Sequence, residues 1–168
     1  MKKCLAALLA LALLLGAGCG EKADNHVEDY KVDVPPDFEE TEMEGVKDCW
    51  YAQDGSSINV TVAAKQSGAD AAFKLITADL ARENLKEMFQ NTFGAEPAVT
   101  NRFFTQDDVC GLPAYQYCYD LELNGVSMTQ LVVTVNADKL YAFTYTDMTG
   151  GWLDAFQESA ANIQLTIA

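Results

Sequence analysis

Polar and apolar positions change period along this chain, and the changes mark its elements. Ile58, Val60 and Val62 alternate with Asn59 and Thr61, the period of a half-buried strand. The run Cys49-Trp50-Tyr51-Ala52-Gln53 precedes it through Asp54-Gly55-Ser56, so the two segments read as a hairpin. Ser67-Gly68-Ala69-Asp70 interrupts, and Asp70 can cap a helix that starts there. Over 71–91 the period lengthens to that of a helix. Phe73, Ile76, Leu80, Leu85, Met88 and Phe89 form an apolar stripe opposite Lys74, Asp79, Arg82, Glu83, Lys86 and Glu87, and Gly94 and Pro97 end it. Four strands come next at about 98–105, 113–123, 126–136 and 139–146, with Asn124-Gly125 suited to the positive φ angles of a type I′ hairpin turn. A second helix at about 151–162 carries Trp152, Phe156 and Ala160 on one side. The order β-β-α-β-β-β-β-α predicts an α+β fold, an antiparallel sheet of about six strands flanked by helices.

Register is set by the turns. A two-residue turn at Asn124-Gly125 pairs Tyr117 with Val132 and Tyr119 with Gln130; a second at Ala137-Asp138 pairs Val132 with Phe143 and Gln130 with Tyr145. One sheet face would then carry Tyr115, Tyr117, Tyr119, Met128, Tyr141, Phe143 and Tyr145. The other would carry Cys118, Leu131, Val133, Val135, Leu140 and Ala142. Both faces are apolar, and two helices are available to cover them. On one reading the aromatic rows are core with hydroxyls at the margin. On the other, the part around Tyr119, Gln130 and Tyr145 stays open as a groove for a small ligand or a partner's peptide.

The first residues, MKKCLAALLALALLLGAGCG, have a different character. Lys2 and Lys3 precede the Leu/Ala run Leu5–Leu15, then come Gly16, Ala17, Gly18 and Cys19, and then a polar stretch. This is the layout of a secretory signal peptide. The apolar run lies at the lower end of the roughly 17–25 residues that span a hydrocarbon core and is partly Gly and Ala. Leu15-Gly-Ala-Gly-Cys19 resembles the bacterial lipobox, with Ala17, Gly18 and Cys19 the best-matched positions and Gly16 standing where a branched apolar residue is usual. The resemblance implies a leader at 1–18, lipid on Cys19, and two or three acyl chains that anchor the protein to the membrane, since one chain alone binds marginally. Ordinary secretion and an uncleaved anchor are the alternatives, and all three place the remainder outside the cytoplasm. Residues 19–37, without apolar periodicity and ending in Val34-Pro35-Pro36-Asp37, read as a tether reaching on the order of 20–25 Å as a flexible coil. Residues 38–168 are then a single domain.

Charge narrows the partners. Loss of Lys2 and Lys3 with the leader takes the net charge from −14 to −16, which repels nucleic acid and anionic headgroups alike. No Gly-rich phosphate loop, Gly-x-Ser-x-Gly elbow or His-Glu-x-x-His is present. The single histidine, His26, lies in the tether, so His-based catalytic machinery is not expected in the domain. Asp107-Asp108 and Glu39-Glu40 are read as solvated rather than as acid/base pairs. Cys49, Cys110 and Cys118 allow one bridge at most and are equally readable as three reduced thiols; no metal or other cofactor is expected.

The segments Trp50-Tyr-Ala-Gln-Asp-Gly-Ser-Ser-Ile-Asn-Val60, Gly111-Leu-Pro-Ala114 and Leu140-Tyr-Ala-Phe-Thr-Tyr145, in this order of elements, resemble the PsbP-like/DcrB-like group. The resemblance implies a sheet flanked by helices and a role in binding or assembly. The expectation is a non-enzymatic, membrane-anchored extracytoplasmic lipoprotein that engages an envelope protein. A small-molecule binder using the aromatic face is the alternative. In cells, the mature chain is expected to carry acyl mass on Cys19 and to partition into the detergent phase; Cys19→Ala should move it to the aqueous phase, and a wild-type chain found there would remove the lipid reading.

Overall fold

The computed structural model describes residues 25–168; the leader expected at 1–18 and Cys19 lie outside the described residues. The elements are β1 (Val27–Lys31), β2 (Glu39–Glu40), β3 (Asp48–Tyr51), β4 (Ser57–Ala64), α1 (Ala69–Leu75), α2 (Ala78–Phe93), β5 (Ala98–Val109), β6 (Leu112–Leu123), β7 (Val126–Asn136), β8 (Lys139–Asp147), α3 (Leu153–Ala161) and β9 (Gln164–Ile167). Seven strands form one antiparallel sheet in the order β2-β3-β4-β8-β7-β6-β5. The helical excursion after β4 carries the chain to the far edge, from which the meander β5–β8 returns to pair with β4. β1 and β9 form a separate antiparallel ribbon.

Turn chemistry explains the meander. Asn124 (φ 53°) and Gly125 (φ 77°) occupy the two positive-φ positions of a type I′ turn, and Cys110 (φ 52°) and Gly111 (φ 79°) do the same between β5 and β6. The β7–β8 connection differs from expectation. Asn136 pairs with Leu140, so the loop is Ala137-Asp138-Lys139, three residues rather than two. One extra loop residue moves the register by one, and every side chain of β8 changes face. Leu131 therefore faces Tyr145 and Val133 faces Phe143, where the two-residue turn had paired Gln130 with Tyr145 and Val132 with Phe143.

The two faces thus divide the aromatic residues. Ile58, Val60, Cys118, Leu131, Val133, Val135, Tyr141, Phe143 and Tyr145 pack with Phe156, Ala160 and Ile163 of the α3 region and with Val27 and Phe38. Tyr115, Tyr117, Tyr119, Leu121 and Met128 pack with Ala81, Leu85 and Phe89 of α2. On the first face Phe156 stands 5.4 Å from the Tyr145 ring and 5.8 Å from Phe38, and the Tyr145 hydroxyl meets Ser159 Oγ at 3.1 Å.

The helix expected over 71–91 is broken. Ile76 is extended (φ −62°, ψ 135°), and Thr77 starts α2 as its cap, Oγ1 accepting from Leu80 N at 3.2 Å. Two adjacent β-branched residues, one with a hydroxyl that bonds the backbone locally, favour a restart over continuation. Asp70 lies in the first turn of α1 rather than capping it; Gly68 (φ 85°) holds the cap position.

The expected tether also differs. Residues 27–31 are strand, antiparallel to β9, with Val27 buried and Tyr30, Val32 and Val34 against the α3-side core. Tyr30 lies 5.6 Å from the Phe143 ring and its hydroxyl donates to Asp48. Residues 27–34 are accordingly part of the fold rather than tether. Two-face packing makes α3 essential: Phe156→Ala should lower unfolding free energy by about 3–5 kcal/mol in a urea titration, the usual cost of deleting a buried Phe.

Candidate binding site

Tyr119, Gln130 and Tyr145 do not share a face. The β8 register places Tyr145 on the α3 side, bonded to Ser159, while Tyr119 and Gln130 face α2. None of the three is exposed. The Tyr119 hydroxyl donates to Gln130 Oε1 at 2.5 Å, and Gln130 Nε2 donates to Thr146 Oγ1 at 2.8 Å. This is a buried, satisfied network across three strands and leaves no open aromatic groove at these positions.

An open feature lies at the strand ends. Antiparallel register sets Thr100, Asp120, Thr129 and Asp147 directly opposite one another on β5, β6, β7 and β8. Two residue pairs further along, Glu122 faces Ser127, and alternation brings both to the same side of the sheet. With Met128, Met148, Thr149 and Gly150 they line a cleft of about 370 Å³. Its carboxylates are held in place by the protein. Asp120 Oδ1 accepts from Arg102 Nε at 2.8 Å and from Thr129 Oγ1 at 2.7 Å. Asp147 is buried; Oδ1 accepts from the Thr149 and Gly150 backbones at 3.0 and 2.7 Å and Oδ2 from Trp152 N at 2.9 Å, which orders the loop leading into α3. Asp54 extends this loop network. Its partial burial works against ionisation, yet hydrogen bonds from Ser56, the Trp152 indole (2.8 Å) and Thr149 outweigh it and hold the carboxyl below its ordinary range. The result is an acidic, hydroxyl-lined recess with oriented acceptors.

Sequence reasoning missed a second polar feature. Asn59 and Thr61 read as the solvent side of a half-buried strand, but Ser57, Asn59, Thr61 and Thr144 are each 1% exposed or less. Alternation from Ile58 and Val60 sends the β4 set to the α1/α2 side, and Asn59 lies directly opposite Thr144. Ser57 Oγ, both amide atoms of Asn59, Thr61 Oγ1 and Thr144 Oγ1 have no hydrogen-bond partner among the described residues. Polar alternation in β4 was legible; its burial was not, because nothing local shows that helices return over that face.

His26, in the strand-forming N-terminal segment, is largely exposed, and its Nδ1 lies 2.9 Å from Asp138 Oδ2. Cys49, Cys110 and Cys118 are free thiols, and burial pushes Cys118 up to about 11. Among the described residues no group of three His, Cys, Asp or Glu is placed to hold a metal ion, and no helix is long and apolar enough to cross a membrane.

This architecture, one antiparallel sheet with helices over both faces and a terminal ribbon, is a PsbP-like fold. Cyanobacterial PsbP (CyanoP) from Synechocystis sp. PCC 6803 matches with a TM-score of 0.65 over 92% of this chain and 99% of its own, at 15% identity. A protein from Bacteroides thetaiotaomicron matches with a TM-score of 0.50, 11% identity, 87% of this chain and 49% of its own. LpqN, involved in cell envelope biogenesis of Mycobacterium tuberculosis, matches with a TM-score of 0.47, 12% identity, 88% of this chain and 87% of its own. No protein-family model and no curated protein matches the chain.

The buried tyrosines give the fold an alkaline limit. Burial pushes Tyr115 and Tyr117 up to about 12 and raises Tyr119 and Tyr145 well above the ordinary tyrosine value. The unfolded chain loses these protons first, from about pH 10, so stability is intact below that point and falls as pH rises toward 12. Tyrosinate absorbance and far-UV circular dichroism should therefore change together in one cooperative step. Free titration of all tyrosines near pH 10 with the fold retained would contradict the burial.

Proposed function

We propose that this protein is a membrane-tethered extracytoplasmic binding or assembly module, held by lipid on Cys19 and engaging an envelope protein through the acidic recess at the strand ends. The recess is the observation that carries the reading: Asp120, Glu122 and Asp147 beside the hydroxyls of Thr100, Ser127, Thr129 and Thr149 in a cleft of about 370 Å³. Such a surface accepts hydrogen bonds and favours positive charge, so its partner is a protein segment bearing Lys or Arg. The net charge supports the same polarity and disfavours nucleic acid.

The same geometry favours binding over catalysis. Asp120 is committed to Arg102 and Thr129, and Asp147 to three backbone N–H groups. Neither is placed beside a histidine, and His26 pairs with Asp138 beside the β1–β9 ribbon. β1 begins at Val27, eight positions after the proposed anchor at Cys19. Membrane-bound partners are thus favoured over distant ones.

A photocrosslinker placed at Ser127 in the full-length, lipidated chain in cells should capture one discrete envelope protein. The yield should fall several-fold with Glu122→Lys and at raised ionic strength, because an ionic contact at an exposed cleft is screened. Capture that ignores both the charge reversal and salt would rule out the acidic recess as the docking site.

A further inference from the structure

The buried polar set on β4 and β8 belongs neither to the acidic recess nor to the Tyr119–Gln130–Thr146 network. We propose that this α1-side face is a second site, for a small neutral polyhydroxylated molecule of the sugar or polyol class, reached by displacement of α1.

The donor set decides the chemistry. Ser57, Asn59, Thr61 and Thr144 present three hydroxyls and one carboxamide, each able to act as donor and acceptor, and all are buried without partners among the described residues. A buried polar atom left unpaired costs free energy, so several on one surface call for an explanation beyond packing. No charged side chain belongs to the set, and an ionic ligand placed there would be desolvated without a counter-charge. The neighbouring pair Lys65–Asp70, 2.7 Å apart with Asn136 Nδ2 donating to Asp70 at 2.8 Å, is already internally satisfied.

Layout argues for a compact ring or polyol. Ser57, Asn59 and Thr61 occupy alternate positions of one strand, about 7 Å apart, and Thr144 stands across from Asn59 at about 5 Å. Hydrogen-bonding groups are therefore spread in two dimensions. A linear run of amides would meet them along one line only. Further along the same rung, Thr144 faces Val132, which faces Tyr117. The Val132 side chain, directly across from Thr144, gives the site an apolar flank for the carbon face of a sugar.

Access depends on the break after α1. None of its residues is buried, Leu75 is 73% exposed, and it is bounded by Gly68 in the left-handed region and by extended Ile76. Its hold on the sheet rests on Phe73, which contacts Tyr115 at 5.2 Å between ring centroids and packs on Leu140 and Ala142, the positions before Thr144 on that face of β8. The Asp70 contacts add to this, and at the C-cap the Ile76 carbonyl accepts from Gln106 Nε2 at 3.1 Å. A short segment hinged at both ends with one apolar anchor is the element able to move without unfolding the sheet.

Titration calorimetry and ligand-observed NMR on the full mature chain in detergent, with glucose, sucrose and sorbitol as neutral probes and glucuronate as the charged comparison, test the proposal. At least one neutral probe should bind saturably, glucuronate at least tenfold more weakly. Thr144→Val and Thr61→Val, close in shape and lacking the hydroxyl, should keep or raise the thermal midpoint while weakening binding at least tenfold. Absence of saturable binding by all three neutral probes overturns the proposal, as does binding that Thr144→Val leaves unchanged. A lowered thermal midpoint in both valine variants would also overturn it, since the hydroxyls would then be structural.

Discussion

Pairing of β4 with β8 is the contact on which the rest of the molecule depends. Eight consecutive residue pairs, from Ser57–Thr146 to Ala64–Lys139, join the first hairpin to a meander that begins more than thirty residues later. No turn chemistry enforces this contact, and its loop-closure entropy is offset only by what the pairing buries. On one face it brings Ile58 and Val60 beside Phe143 and Tyr145, giving α3 and the β1–β9 ribbon a surface to cover. On the other it brings Asn59 opposite Thr144. The same register thus creates the principal core and the unpartnered polar set.

Local hairpins were legible in the sequence because their determinants are local. Asn124-Gly125 meets the need for two positive φ angles, and the β6–β7 pairs result from it without error. The β7–β8 loop was misread because Asn-Ala-Asp-Lys does not distinguish two loop residues from three. In the structure Ala137 N bonds Lys139 O at 2.9 Å, while Asp138 is drawn to the N-terminal segment: its backbone N–H donates to Asn25 O and its carboxylate meets His26 and Val27 N. Distant residues decided that register. The error propagated to the candidate face, separating Tyr145 from Tyr119 and Gln130, because a slip of one inverts a strand.

The N-terminal segment teaches the same lesson in reverse. Val27, Tyr30, Val32 and Val34 do alternate loosely, but Glu28, Asp29, Lys31 and Asp33 between them gave the stretch a solvated look. Its order comes from β9, whose pairing cannot be inferred from either strand alone, and from the Tyr30 hydroxyl bonded to Asp48. The likeness to PsbP-type proteins was legible at the level of element order, where β-β-α-β-β-β-β-α survives a helix break, an extra edge strand and a terminal ribbon. Sites were less legible, since both depend on strands far apart in sequence reaching the same rung.

A sheet buried on both faces ordinarily fills both with apolar residues. This one does so around α3, apart from the acidic recess at the strand ends, and departs again on the α2 side, where aromatic rings on β6 give way to hydroxyls and an amide on β8 and β4. The Tyr119–Gln130–Thr146 row shows that the fold can satisfy polar groups on this face when partners are placed across the strands. Ser57 stands next on that row and Asn59 and Thr144 one rung away, yet none has a partner among the described residues. Departures from internal consistency concentrate where function is imposed on a fold. Here the departure lies beside the residues on which Phe73 of α1 packs, while the apolar rows of the other face lie under α3 and the ribbon that joins the ends of the described chain.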